Sequence, residues 1–289
     1  MFGVMTEALP QVVLFLLDEA VEIGKGANTI ISLLDFFLEN YGLKKVACHL
    51  HANNCSGQNK NNAMLHYLMW RVMTGCHSDI TLLFLLTGHT KFGPDWCLGL
   101  FKRRFHRTRV DCLADIVQVT KAALSTGILT PQLGSDEAGN VLVPSRDWMA
   151  FLSEWFRKLV GLKKFHHFQF KASGEVLCCE NGASEVTIFS LLKGPAALPD
   201  TLPTIVQPSG LSQQRKGYLF QEIQEFVNQD YQDLVCPESP QSFTKAPAPP
   251  APEDPAKPST SAATSTATTR TPGRPKKQHQ EAWLPRGSD

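Results

Sequence analysis

His51-Ala52-Asn53-Asn54-Cys55-Ser56-Gly57-Gln58-Asn59-Lys60-Asn61 joins an apolar, β-prone run at residues 46–51 to a run with helical periodicity at 62–73. A strand that enters a polar, glycine-containing turn and then a helix is the unit from which α/β sheets are built. In such sheets reactive groups sit at the carboxyl ends of strands. Here the turn carries amides where a charged ligand is expected. Asn53 and Asn54 donate and accept hydrogen bonds, but neither brings the negative charge that a hard cation such as Mg²⁺ prefers.

The same grammar repeats on either side. Residues 11–17 form a continuous apolar run that suits a strand buried on both faces, and it ends at Asp18-Glu19. From Asn28, read as an N-cap, Ile30, Ile31, Leu33, Leu34, Phe37, Leu38 and Tyr41 follow helical spacing as far as Gly42. Gly75 closes the helix at 62–73, and residues 80–86 read as a third buried strand. The turn Gly88-His89-Thr90-Lys91-Phe92-Gly93-Pro94 follows, and Asp95 opens a basic helix through about Arg107. Strand and helix alternating in this way imply an α/β protein with a parallel or mixed sheet flanked by helices.

Beyond residue 110 the pattern loosens. Helices are predicted at 112–124, 148–160 and 211–227, a short strand at 140–143, and a hairpin at 165–170 with 176–179. The organisation expected is a core at 1–130, an α+β extension with a strongly helical character at 131–237, and a tail at 238–289. In the tail Pro, Ala, Ser and Thr replace large apolar residues, so it cannot bury enough surface to offset its ordering entropy and is predicted to be disordered.

Composition excludes some classes. At 289 residues and 43% hydrophobic the chain can fill a substantial core, and its longest apolar run, residues 12–17, is too short to cross a bilayer. The net charge is +1, so any nucleic-acid binding has to come from a local basic patch. Eight cysteines are scattered and no signal-peptide pattern opens the chain; they read as reduced thiols in a nuclear or cytosolic protein, neither secreted nor membrane-bound.

Four segments carry a family resemblance. They are Leu16-Leu17-Asp18-Glu19-Ala20 with Gly24-Lys25-Gly26-Ala27-Asn28, the asparagine-rich turn at 51–61, Gly88 to Asp95, and Gly210-Leu211-Ser212 with Arg215 and Tyr218. Together they resemble a family of transposon-derived animal proteins whose core looks like a ribonuclease-H-like transposase or integrase of the acidic-triad type. The resemblance implies a ribonuclease-H-like mixed sheet and phosphoryl transfer on DNA, with carboxylates from adjacent strands holding two Mg²⁺. Departures from the family pattern count against that activity. Where the pattern reads His-Ala-Asp-Asn-Cys this chain has Asn53, and it starts at Met1-Phe2-Gly3-Val4 without the upstream strand and aspartate of its relatives. Asp95 is the member of the resembling triad that stays in place. The expectation is a degenerate, N-terminally truncated and catalytically inactive core that needs no cofactor. Two alternatives stand beside it: a residual Mg²⁺-dependent nuclease or strand-transfer enzyme using Asp18, Glu19 and Asp95, or a fragment with no function of its own.

Other residues invite sharper readings. His49 and His51 share a strand face and lie near Cys48 and Cys55, but the set lacks a recognised zinc spacing. His89 stands at a strand end, placed to orient a phosphate or a carboxylate or else to anchor its own loop, and Cys178-Cys179 point to opposite faces of a strand. Phe101-Lys102-Arg103-Arg104-Phe105-His106-Arg107 is the densest basic patch of the ordered part. Helical spacing turns Phe101 and Phe105 inward and leaves Lys102, Arg103 and Arg107 facing out, the layout of a helix that meets phosphates. In the tail Gly273-Arg274-Pro275, followed by Lys276-Lys277, resembles an AT-hook, whose arginine enters the narrow minor groove of A·T tracts. The partner expected is DNA.

Overall fold

Val12, Val13, Leu14, Phe15 and Leu16 are all buried, and they form the two-faced strand that their apolar run predicts. The computed structural model describes residues 1–42, 44, 46–85, 93–136, 138–194 and 197–238. In chain order the strands are β1 (Phe2–Thr6), β2 (Gln11–Leu16), β3 (Cys48–Ala52), β4 (Ile80–Phe84), β5 (Leu129–Leu133), β6 (His167–Phe170), β7 (Glu175–Cys179) and β8 (Thr187–Ser190). The helices are α1 (Ala27–Asn40), α2 (Asn62–Met73), α3 (Gly93–Phe105), α4 (Leu113–Ala122), α5 (Trp148–Trp155), α6 (Gln213–Tyr218) and α7 (Gln232–Val235).

These strands make two mixed sheets where one was expected. The first has the order β1-β2-β5, with β1 antiparallel and β5 parallel to β2. The second has the order β3-β4-β6-β7-β8, in which β3 and β4 are parallel and every later pairing is antiparallel. Strand β2 serves two cores because its side chains alternate between its faces. Val13 and Phe15 join α1, α2, α5 and the inner face of the five-stranded sheet, whereas Val12, Leu14 and Leu16 pack against Cys97 and Phe101 of α3 and Val119 of α4.

The larger core is closed by aromatic rings. Trp148 of α5 meets Tyr67 at 4.9 Å and 72° and Trp70 at 5.5 Å and 64°, edge-to-face geometries that aromatic quadrupoles favour. Gly75 takes φ +75° just past α2, a left-handed turn that lets the chain fold back with Cys76 N–H and His77 N–H on the Arg71 carbonyl.

Several expectations are corrected. β1 and β8 were not foreseen, and the strand expected at 140–143 is replaced by β5 and a single bridge between Ser135 and Val141. Residue 130 therefore falls inside β5, and the extension at 131–237 holds three whole strands among the described residues, β6 and β7 being the hairpin expected there, so it is less helical than expected. The helix predicted at 148–160 stops at Trp155, and the one predicted at 211–227 breaks into α6, a π turn at Leu219–Ile223 and a 3-10 turn at Gln224–Phe226. Asn28 is not the N-cap of α1. Gly26 holds that position, and the Asn28 side chain instead donates to Asp147 Oδ1 at 3.0 Å and accepts from Met149 N–H at 2.8 Å, fixing the start of α5. Among the described residues, no helix is long and apolar enough to cross a membrane.

Candidate functional site

The asparagine-rich turn is a clasp between two parallel strand ends. Ala52 and Phe84 are paired, so Asn53 and Asn54 leave β3 beside Leu85, and Asn54 Nδ2 donates to the Leu85 carbonyl. Lys60 Nζ donates to Asn54 Oδ1 at 3.1 Å and lies 5.1 Å from the centre of the Phe84 ring. Lys60 is only 5% exposed, and burial holds its pKa below the usual lysine value. Asn53 Oδ1 accepts from Cys55 N–H at 3.1 Å and from Asn59 Nδ2 at 2.9 Å. Asn61 caps α2 by accepting from Met64 N–H at 3.0 Å, and Asn62 Oδ1 accepts from Leu159 N–H at 2.7 Å. The side-chain oxygens of Asn53 and Asn61 thus satisfy backbone and amide donors of the tight turn and of the first turn of α2, that of Asn54 takes the Lys60 ammonium, and that of Asn62 ties the turn to Leu159.

The acidic residues singled out from the sequence stand apart in what they do. Asp18 is exposed and accepts from Ala20 N–H at 2.7 Å, an Asx turn at the end of β2. Glu19, read as a substitute metal ligand, is paired with Arg215, whose Nη2 lies 2.8 Å and Nε 3.0 Å from the same oxygen. That pair joins two segments of the quoted motifs that lie almost two hundred positions apart. Asp95 is exposed in the first turn of α3, where the helix dipole favours a carboxylate. Among the described residues, no group of three or more His, Cys, Asp and Glu side chains is arranged to hold a metal ion.

The basic patch lies where the sequence places it, with one exception. Lys102, Arg103 and Arg104 occupy the exposed last turn of α3, and Arg107 lies in the turn after it. None of the ion pairs among the described residues uses these four cations. Phe101 is buried at 2% exposure, but Phe105, expected to face the core, is 38% exposed and stacks on Phe101 at 5.8 Å. The helix ends at Phe105, so its last turn runs past the edge of the smaller core.

His49 and His51 do share an exposed face of β3, and Cys178 is buried while Cys179 is half-buried, as strand alternation requires. His89, with its neighbours at 86–92, and the hook residues Gly273, Arg274 and Pro275 lie outside the described residues.

Two features escaped the sequence reading. One is a buried charge network: Arg71, 1% exposed, donates from Nη1 to Asp35 Oδ1 at 2.8 Å, from Nη2 to Glu39 Oε1 at 2.8 Å and from Nε to His77 Nδ1 at 3.2 Å. Its signal in the sequence is a charge inside the apolar helix Met69-Trp70-Arg71-Val72, matched by Asp35 in the apolar helix before it. The other is a small, mostly apolar pocket beyond the carboxyl ends of β2 and β5, lined by Leu17, Ile23, Leu33, Gly134 and Val143 with Glu22 as its charged residue.

A family model described as a domain of unknown function, DUF7869, matches residues 1–181. The chain belongs to that family. No curated protein and no solved structure matches the chain. The DUF7869 match takes in both sheets as far as β7, the asparagine clasp and all of α3, and it ends before Arg215.

Proposed function

We propose that this chain is a nucleic-acid-binding protein built on a degenerate, transposase-derived core of ribonuclease-H-like type, and that it works without phosphoryl-transfer chemistry. It meets DNA through Lys102, Arg103, Arg104 and Arg107, with the Gly273-Arg274-Pro275 segment of the tail as a second, minor-groove contact. The observation that carries the reading is the set of four exposed cations at the end of α3 that no carboxylate neutralises among the described residues. Cations in a last helical turn also complement the helix dipole, but four of them clustered without a neutralising acid supply the local positive field that a polyanion site requires.

Support for the ancestry comes from the parallel pair β3 and β4 linked through α2, with Asn53 at one strand end and Asp95 opening the helix after the other. Support for inactivity comes from Asn53 itself. It occupies the position where the resemblance calls for a carboxylate, and its oxygen is already engaged by Cys55 N–H and Asn59 Nδ2. A neutral amide in that role is a poor ligand for Mg²⁺.

Titrating labelled A·T-rich duplex against the full chain over a range of salt tests the binding. Affinity should fall steeply with salt, and Arg103→Glu or Arg104→Glu should each lower the slope of log K against log salt by about 1. Binding that ignores both changes removes α3 from the reading. Calorimetry with Mg²⁺ should show no site-specific uptake, and Asn53→Asp should not restore nicking of supercoiled DNA. Sub-millimolar Mg²⁺ binding together with nicking would establish the residual-enzyme alternative on Asp18, Glu19 and Asp95 instead.

A further inference from the structure

The outward side of α3 carries more than charge. Trp96 is 58% exposed, whereas Trp70 and Trp148 are buried in the ring cluster of the main core. More than half of Trp96 is open to solvent, so much of its surface is available to a ligand. Helical spacing puts Trp96, Gly99, Leu100 and Arg103 on one side of α3, since they stand at i, i+3, i+4 and i+7. Pro94, Cys97 and Phe101 occupy the opposite, buried side.

Gly99 is the second observation. A methyl group placed on it meets no other atom within 4 Å, so no close approach within the protein explains a glycine in the middle of this helix. Glycine is among the poorest helix formers, and at this position its effect is a bare strip of backbone between an indole and a guanidinium. Arg103 lies about 10 Å along the axis from Trp96, given the rise per residue of a helix. Lys102 flanks the strip, and Asp95 is the one acidic side chain of α3.

We infer that the Trp96–Gly99–Arg103 strip is a stacking platform for single-stranded nucleic acid, with Trp96 against a base and Lys102, Arg103 and Arg107 along the phosphates. The inference rests on the polyanion reading above and narrows it. A duplex hides its base faces, so an exposed indole adds nothing to duplex binding, while base stacking on an aromatic ring is the sequence-tolerant part of single-strand binding. An anionic lipid surface fits less well. A membrane-surface helix needs a broad apolar face, and the side of α3 that carries Trp96 adds to it only the half-buried Leu100, beside a glycine and cations, while the exposed Phe105 lies on the opposite side of the helix by its spacing.

Fluorescence anisotropy with a labelled oligothymidine and a duplex of the same length, using the full chain, tests the platform. The single strand should bind roughly tenfold more tightly than the duplex. Trp96→Ala should abolish that preference while leaving weak, salt-sensitive duplex binding, and Trp96→Phe should keep most of it. Gly99→Leu, whose Cβ meets nothing else within 4 Å and whose side chain fills the strip, should weaken single-strand binding as much as Trp96→Ala does, with an unchanged thermal melt showing that the fold is intact. Oligothymidine should quench tryptophan emission in the wild type and not in Trp96→Phe. If the duplex binds and the single strand shows no preference, or if Trp96→Ala leaves the preference intact, the stacking inference fails and the duplex reading survives. If neither oligonucleotide binds, or polyglutamate or anionic vesicles bind as tightly, both readings fail.

Discussion

Arg71 shows how much rests on a single buried cation. Its guanidinium is held by Asp35, Glu39, Tyr67 and His77, so removing it leaves the Asp35 carboxylate buried and without a counter-charge. Arg71→Leu should cost about 3–5 kcal/mol by urea unfolding, and adding Asp35→Leu should recover at least half of the loss, because removing both charges also removes their desolvation cost. Additive losses in the double variant would show that shape, not charge, holds α1 to α2. Histidines give a second handle on the same region. His66 donates from Nε2 to the Arg157 carbonyl at 3.0 Å and stacks on Phe156, and burial pushes its pKa down to about 4. His77 is lowered to about 4 as well, by burial first and by the charge of Arg71 beside it. A depressed folded pKa means that the unfolded chain takes up the proton first as pH falls. The stability these groups give is complete above about pH 6.5 and declines as pH drops toward 4, by up to about 3 kcal/mol for each. Urea midpoints measured between pH 7 and 4 should fall accordingly, and His66→Gln should flatten the decline; an equally steep curve in the variant would mean that His66 does not carry it.

At the scale of elements, α3 separates a packed side from an exposed one. Phe101→Ala should destabilise the protein by about 3–5 kcal/mol, whereas Phe105→Ala, on the projecting last turn, should cost under about 1 kcal/mol. Equal losses in thermal melts would mean that the last turn is packed in solution. The same helix shows what a sequence can and cannot reveal. Its apolar spacing and basic end are local features, and they gave the element and its exposed cations; where the smaller core stops beneath Phe105 depends on α4 and β2, which lie elsewhere in the chain. The first three strand–helix units were legible for the same reason. β1 was missed because Phe2-Gly3-Val4-Met5-Thr6 is short and contains a glycine, which weakens a strand. β8 was missed because Thr187-Ile188-Phe189-Ser190 is an exposed edge strand with little alternation to read. In the site, Asn53 could be recognised as a departure from a pattern, but its tie to Asn59 depends on the turn, and the pairing of Glu19 with Arg215 on contact between distant segments.

For the whole molecule the deciding strand is β2, whose two faces serve different cores. Its pairing with β5 joins residues more than a hundred positions apart, and nothing in the local pattern of either strand announces it. This is why one sheet was expected and two are found. The arrangement also couples the halves of the described structure. Leu14 is buried among α3, α4 and β5, while its neighbours Val13 and Phe15 pack with the cluster that holds Trp70 and Trp148. A defect at Leu14 therefore cannot loosen the smaller core alone, because the strand that shifts is shared. Leu14→Ala should lower stability by about 2–5 kcal/mol. Unfolding followed by tryptophan emission, which reports chiefly on the larger core, should move to lower urea by the same amount as unfolding followed by circular dichroism. If the variant gives two separated transitions, with tryptophan emission keeping its wild-type midpoint, the cores are independent and β2 does not bind them into one cooperative unit.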